Sequence, residues 1–238
     1  MLGGGVGAAV GGAMNHPIWL LLAKDLRIEF RSREVLVTGA LFTIVLVTLF
    51  LFSGFETRVI AQSAAPGVLW VCLAFTGTLV FGRTFQRERE ERAIAGLVLV
   101  PGVPSALYLA KLGTNLVLLT LITGLLVPAV LMTFHVEVVS WPVFLAALAG
   151  GLVGFCALGT VLAAALASLR LREVLLPIVL YPLCIPLLLA GVQATGAAFG
   201  GEGSPGGWLR ILLGFDVIFL LVARWLFAES VDHGEGIG

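Results

Sequence analysis

The sequence predicts an all-α integral membrane protein: six transmembrane helices, an N-terminal amphipathic interfacial helix, and a cytoplasmic coupling helix between spans 2 and 3. Hydrophobic residues make up 59% of the 238 residues and charged residues only 12%, against the usual ~25% charged. The mean hydropathy of +1.09 is too apolar for a soluble globule. The apolar residues also fall into six runs, each close to the ~20 residues that a helix needs to cross a bilayer.

The six runs divide the chain into one membrane domain with two short flanks. Residues 1–17 are rich in glycine and alanine, and residues 229–238 are acidic, so we expect both to be disordered. The membrane domain occupies residues 18–228. Its spans are expected near 35–53, 67–84, 107–134, 143–168, 174–194 and 209–227.

Residues 18–34 mix apolar and charged positions at helical spacing. Lys24, Arg27, Arg31 and Arg33 form a basic side, and the segment carries aromatic residues. Arginine-rich amphipathic helices of this kind lie in the membrane interface, in contact with lipid.

The distribution of basic residues predicts the orientation of the spans. With the spans as placed above, 12 of the 14 lysine and arginine residues fall on one side of the membrane, and only Arg58 and Arg210 fall on the other. The side with the excess of positive charge is cytoplasmic. Both termini are therefore expected in the cytoplasm.

A charged stretch interrupts the apolar sequence between the second and third spans. Six consecutive charges occupy residues 87–92, an apolar run follows, and the stretch breaks at Pro101 and Pro104. It must lie in water, and its charges at helical spacing indicate a short helix that a soluble partner can grip. The alternative is a solvated loop that merely obeys the charge rule. The expected docking residues are Glu88, Glu90, Glu91, Arg92 and Pro101.

Asp216 is an acidic residue inside the sixth run. A carboxylate at the centre of a transmembrane helix costs about 2.5–3.5 kcal/mol on insertion scales, so it should face protein or water and have a partner. Arg210 and Arg224 lie on the same run, but not at the spacing of direct neighbours. We therefore expect a partner on another helix or subunit, with a polar anchor or a direct role in transport as the two uses.

Small residues and prolines mark two further spans. Gly150 and Gly154 form a GxxxG motif, which allows close helix packing within the chain or between two copies, so a homodimer is one use of it. The fifth run contains Pro177, Pro182 and Pro186. These residues predict either a tolerated kink or a hinge.

No catalytic constellation occurs in the sequence. It has no phosphate-binding GxxxxGK[ST] loop, no GxSxG and no HExxH. The three cysteines stand singly in apolar runs, which predicts packing rather than a metal site. His135, at the outer end of the third span, is expected to be a polar anchor, with a haem or metal ligand as the alternative. A net charge of zero predicts no nucleic-acid partner.

Four segments in order resemble the haem exporter permease of cytochrome c maturation, the CcmB family. They are KDLRIEFRSRE (24–34), APGVLWV (65–71), LREVLLPIVLYPLCIPLLL (171–189) and GFDVIFL (214–220). The charged stretch itself resembles the coupling region of type-2 ABC exporter permeases. The resemblance covers roughly residues 18–228.

This resemblance implies a non-catalytic permease subunit in the bacterial inner membrane. It implies a separate cytoplasmic ATPase (CcmA-like), a haem-handling membrane protein (CcmC-like) and a haem chaperone (CcmE-like) as partners. Haem would be the transported or handled species, crossing through the permease or released with its chaperone by ATP-driven movement; no bound cofactor is expected. The alternatives are an ABC permease that exports lipid, glycan or drug, and a scaffold that only recruits maturation factors.

Overall fold

The computed structural model describes residues 6–53, 58–84, 103–167, 169 and 171–232, with side chains described for 18–53, 59–83, 107–167, 169 and 171–223. Within these ranges the chain forms seven helices and no strand. They are α1 (Val6–Ser32), α2 (Glu34–Leu51), α3 (Arg58–Thr84), α4 (Val103–Phe134), α5 (Trp141–Ala165), α6 (Arg172–Ala198) and α7 (Pro205–Asp232).

Helices α2 to α7 each contain a segment that is long and apolar enough to cross a membrane. The six segments are Glu34–Leu51, Val59–Arg83, Leu107–Phe134, Trp141–Ala165, Arg172–Ala198 and Pro205–Ala223. The prediction of an all-α, six-span integral membrane protein is therefore confirmed. The predicted coupling helix falls in residues 85–102, outside the described residues.

Among the six spans, the largest difference in helix bounds concerns α3, which begins at Arg58 rather than near residue 67. Residues 58–66, which the predicted span left out, include the polar residues Gln62 and Ser63. In the structure the polar groups are satisfied locally, because Gln62 donates to the carbonyl oxygen of His135 at 2.7 Å and Ser63 donates to that of Ile60 at 2.9 Å. The helix continues through Pro66.

The helices at both ends extend into the flanks for which disorder was predicted. Helix α1 already includes residues 6–17, and α7 continues to Asp232. Extending an existing helix adds a backbone hydrogen bond for each residue fixed and avoids a new nucleation step. Residues 1–5 and 233–238 lie outside the described residues.

Helices α3 and α5 form the centre of the bundle. About two-thirds of their spans is buried, against 22% for the spans of α2 and α7. Trp70 of α3 lies against Gly151 of α5 and Gly191 of α6, and its Nε1 donates to Thr195 Oγ1 of α6 at 3.0 Å. The glycines allow a large indole to pass between two helices, so a single side chain joins three spans.

The outer surface of the bundle is apolar, as expected for a surface that faces lipid tails. Helix α2, for example, exposes six large apolar side chains: Val37, Leu41, Ile44, Val45, Leu49 and Leu51. Its buried side is narrow and uses small or branched residues such as Gly39 and Thr43, whose hydroxyl lies 3.3 Å from that of Thr76 in α3.

The spans run alternately in opposite directions, which defines two ends. We call the basal end the one where α1, the end of α3 and the start of α4 meet. The distal end contains the α4–α5 turn, where the backbone N–H groups of Val139 and Ser140 donate to the carbonyl oxygen of Ala198 at 2.9 and 3.0 Å. Helix α6 runs without a break from Arg172 to Ala198 through its three prolines.

Candidate functional site

The charged stretch was predicted to be the docking site for a soluble partner. Its residues Glu88, Glu90, Glu91, Arg92 and Pro101 lie outside the described residues. The structure does describe the two helices that frame the stretch, since α3 ends at Thr84 and α4 begins at Val103. The described part of the candidate site therefore consists of the contacts that hold these two helix ends.

The end of α3 is held to the start of α2 by an ion pair between the Arg83 guanidinium and the Glu34 carboxylate. Both side chains are roughly half exposed. Ion pairs in contact with water contribute little free energy, typically about 0–1 kcal/mol. The pair thus contributes more to the position of the C-terminal end of α3 than to the stability of the fold.

The start of α4 is held to α1 by a buried ion pair. Lys111 Nζ lies 2.8 Å from Asp25 Oδ2, and only 6% of the lysine side chain and 11% of the aspartate side chain are exposed. Removing one partner of a buried pair leaves an uncompensated charge and costs about 3–5 kcal/mol. Helix α1 cannot therefore separate from α4 without a large penalty.

Two further polar side chains lie on the same face of α4 as Lys111. Tyr108 precedes it by three residues and donates from its hydroxyl to the carbonyl oxygen of Ala157 at 3.3 Å. Asn115 follows it by four residues and donates from Nδ2 to Thr160 Oγ1 at 2.9 Å. This polar face joins the basal part of α4 to both α1 and α5, so a displacement at Val103 reaches three helices.

Asp216 lies about three helical turns into α7 from Pro205. It is only 7% exposed, and its carboxylate faces Gly150 and Gly154 of α5. The side chain thus faces another helix of the same chain, and the partner predicted for its charge stays a prediction. That helix offers a notch rather than a charged group, and Oδ1 has no hydrogen-bond partner among the described residues.

The notch explains why the GxxxG motif occurs where it does. A Cβ atom on Gly154 would collide with the Asp216 carboxylate and lie 2.5 Å from Leu187 Cδ1 of α6. Gly154 thus admits a polar side chain of α7 between α5 and α6, whereas a Cβ on Gly150 would make only ordinary contacts, at 3.5 Å and beyond. The motif serves packing within the chain, one of the two uses expected for it.

His135 ends α4 and adopts a positive φ of 52°. The N–H group of the next residue, Val136, donates to the carbonyl oxygen of Leu131 at 3.1 Å, which is the hydrogen bond of a Schellman cap. The backbone of His135 is thus used to end a helix, and its exposed imidazole points away from the core. Its role as an outer-face ligand stays a prediction.

No group of three or more potential metal ligands occurs among the described residues. Cys72, Cys156 and Cys184 are fully buried and free. The packing role that the sequence analysis assigned to them agrees with their burial.

Sequence analysis missed the buried ion pair and the position of Trp70. The signal for the first was Lys111 itself, a lone lysine near the start of an apolar run, where a charge needs a partner. Its partner Asp25 was counted only as part of an amphipathic helix. Trp70 gave no signal, because an aromatic residue in an apolar run fits either a core or a lipid-facing position.

Comparison with known proteins adds evidence from the whole chain. The family model described as CcmB protein matches residues 16–234. Heme exporter protein B of Bradyrhizobium diazoefficiens is 25% identical over 222 residues, 90% of this chain and 96% of that protein. Its namesake in Pseudomonas aeruginosa is 30% identical over 84% of this chain and 90% of its own length. The one from Haemophilus influenzae is 29% identical over 81% and 86%.

The match extends over all six spans, the charged stretch and α1 from residue 16 onward. It confirms the resemblance that four short segments indicated. The chain belongs to the CcmB protein family.

Proposed function

We propose that the chain is the transmembrane subunit of a haem export system that serves cytochrome c biogenesis. The observation that carries the proposal is the family match over residues 16–234, together with relatives named Heme exporter protein B that align over most of their length. The six helices that are long and apolar enough to cross a membrane support a transmembrane subunit. We place it in the bacterial inner membrane with both termini in the cytoplasm.

The chain itself is proposed to be non-catalytic, with ATP hydrolysed by a separate CcmA-like subunit. The sequence has no phosphate-binding loop that would let it bind ATP by that route. The ATPase is proposed to grip the charged stretch, with Glu88, Glu90, Glu91, Arg92 and the turn at Pro101 as contacts. Haem-handling CcmC-like and CcmE-like proteins complete the proposed assembly.

The contacts at the basal end support a route for the movement. A push on residues 85–102 acts directly on the end of α3 and the start of α4. Helix α4 carries α1 with it through Lys111 and Asp25, and α3 is joined to α2 through Arg83 and Glu34. The conformational change of the ATPase would therefore move helices α1 to α4 together. These helices would form one element with two positions, and the ATPase would shift the equilibrium between them from the basal end.

Two mechanisms were considered: haem crosses the membrane through this chain, or ATP-driven movement of the chain releases a haem-loaded chaperone. The residues of the bundle interior favour the second. A haem iron needs ligands such as histidine or methionine. The histidines stand at positions 16, 135 and 233, and the methionines at 1, 14 and 132. The described buried core contains none of these side chains, and its cysteines, which can also ligate haem iron, stand singly on α3, α5 and α6. We therefore propose that the ATP-driven movement releases the haem-loaded chaperone at the distal side.

Complementation tests the proposed function. The gene is deleted in its host, and covalent haem in membrane cytochromes c is measured by haem staining after re-expression of the chain. Loss on deletion and recovery on re-expression are expected. A second arm pairs the chain with an ATPase subunit that cannot hydrolyse ATP.

The two arms separate the alternatives. Normal cytochromes c in the deletion strain would contradict the proposal and favour a permease for another cargo. Cytochrome c formation with the inactive ATPase would instead show that the chain acts as a scaffold.

A further inference from the structure

The described part of α1, from residue 18 onward, has two faces of different composition. The face toward α4 contains Leu22, which lies 3.2 Å from a Cβ placed on Gly113, and the two acidic residues Asp25 and Glu29. The opposite face contains Lys24, Arg27 and Arg31, all exposed. Acids and bases of the same helix are thus separated onto opposite sides.

The acidic residues of the inner face are already satisfied. Asp25 pairs with Lys111 at 2.8 Å, and Glu29 Oε1 accepts from the backbone N–H of Val35 at 3.0 Å. Neither carboxylate is therefore available to neutralise the cations on the other face. None of the three cations forms a salt bridge with a described side chain.

The outer face of α1 consists of two parallel rows of side chains, one cationic and one aromatic. Lys24, Arg27 and Arg31 follow each other at spacings of three and four residues, so they form one row along the helix. Trp19 and Phe30 are separated by about three turns and therefore lie above one another in a second row. The Trp19 residue is 69% exposed and the Phe30 residue 46% exposed.

We propose that this outer face binds the anionic phospholipid headgroups of the leaflet at the basal end. A helix lying in the interface places its aromatic row in the acyl boundary and its cationic row among the phosphates. Each basic residue near an anionic leaflet adds to the attraction. An acidic groove of a protein partner would match the cations, but it would leave the aromatic row in water.

The inference goes beyond the proposed function, because it concerns which lipid the chain binds and holds for any cargo. It also gives the buried ion pair a second use. Since Asp25 is fixed to Lys111, lipid held by α1 is mechanically joined to the start of α4. The composition of the leaflet would then bias the helix on which the ATPase is proposed to act.

Tryptophan quenching in nanodiscs tests the lipid preference with the full chain. Dibrominated phosphatidylglycerol or dibrominated phosphatidylcholine is added at equal mole fraction to a phosphatidylcholine disc. The contribution of Trp19 is obtained by difference from the Trp19→Phe variant. We expect anionic lipid to quench Trp19 about twofold more strongly at low salt, and the excess to fall when salt is raised.

Three variants locate the effect. Combined Lys24→Gln, Arg27→Gln and Arg31→Gln should abolish the excess, whereas Arg27→Lys with Arg31→Lys should retain it because the charge is kept. Arg210→Gln, which removes an exposed cation at the distal end, should leave it unchanged. If the glutamine variant does not fold, the salt titration of the unaltered chain and the lysine variant decide the question.

Equal quenching of Trp19 by the two lipids would overturn the proposal. So would an excess that survives the three glutamine substitutions or high salt. If the excess is absent and the three cations instead become protected when the ATPase subunit is added, the face belongs to a protein partner.

Discussion

Individual residues in this bundle are placed by pairs of large and small side chains. Trp70 passes between α5 and α6 only because positions 151 and 191 are glycine. On the next turns of the same helices, Phe81 lies against Gly159 and its ring centroid is 5.1 Å from that of Phe155. Without a hydrophobic effect between helices inside a membrane, such close packing supplies much of the attraction.

Gly191→Ala tests this packing. The added Cβ would lie 2.5 Å from two atoms of the Trp70 ring, which cannot retreat because Gly151 contacts it on the other side. Overpacking of this kind costs about 1–3 kcal/mol, and we expect a lower melting temperature in detergent. Gly124→Ala is the matched control, since nothing lies within 4 Å of its Cβ. Equal melting temperatures for the two variants would refute the packing argument.

Asp216 gives a second prediction at this scale. Asp216→Leu places a larger apolar side chain in the Gly150–Gly154 notch, so we expect less assembled complex and less cytochrome c. Asp216→Asn keeps the size and polarity of the side chain and should retain most of both. The yields are compared by gel filtration and haem staining. Full assembly and activity of the leucine variant would contradict the role of polar anchor.

The burial of Asp216 could be predicted from the sequence, because a charge in an apolar run must be shielded. Its surroundings could not. The expectation of a charged partner followed from electrostatics alone, whereas the structure meets the carboxylate with two glycines. Such contacts depend on how the helices pack. Residues 154 and 216 are far apart in the sequence, so their contact could not be predicted from it.

At the scale of elements, the association of α1 with α4 depends on the Asp25–Lys111 pair. Asp25→Ala should lower the free energy of unfolding by about 3 kcal/mol, because Lys111 would stay buried without its main counter-charge. Replacing both residues by apolar ones, Asp25→Leu with Lys111→Met, should recover much of the loss.

Thermal unfolding in a single detergent measures the effect of the pair. Arg83→Gln is the comparison variant, since its ion pair is half exposed and should matter far less. A loss for Asp25→Ala no larger than that for Arg83→Gln would show that the pair does not hold α1.

The order and number of the helices could be predicted because each span is a long apolar run. The helix ends could not be predicted to the same degree. Residues 58–66 were left out of the predicted span, yet Gln62 donates to the carbonyl oxygen of His135 and the helix runs through these residues. A polar segment is therefore a poor marker of a helix end when a neighbouring turn can satisfy it.

At the scale of the molecule, the charge distribution predicts which end faces the cytoplasm. Glu173→Cys lies at the exposed start of α6 at the basal end, and Val139→Cys lies at the distal end, where the residue is 72% exposed. A membrane-impermeant thiol reagent added to intact spheroplasts should label position 139 alone, and position 173 only after permeabilisation. The unaltered chain is the control, because its three cysteines are buried. The reverse labelling pattern would show that the basal end faces away from the cytoplasm, which contradicts the predicted topology.

The central claim is that a soluble ATPase acts on the bundle through the charged stretch. The most direct measurement is the amount of ATPase subunit that co-purifies with the chain from detergent, for the unaltered chain and for combined Glu88→Lys, Glu90→Lys and Glu91→Lys. The control reverses two exposed acids at the distal end, Glu137→Lys and Glu202→Lys. We predict that the ATPase is lost with the first variant and kept with the control. Undiminished recovery with the first variant would contradict the claim.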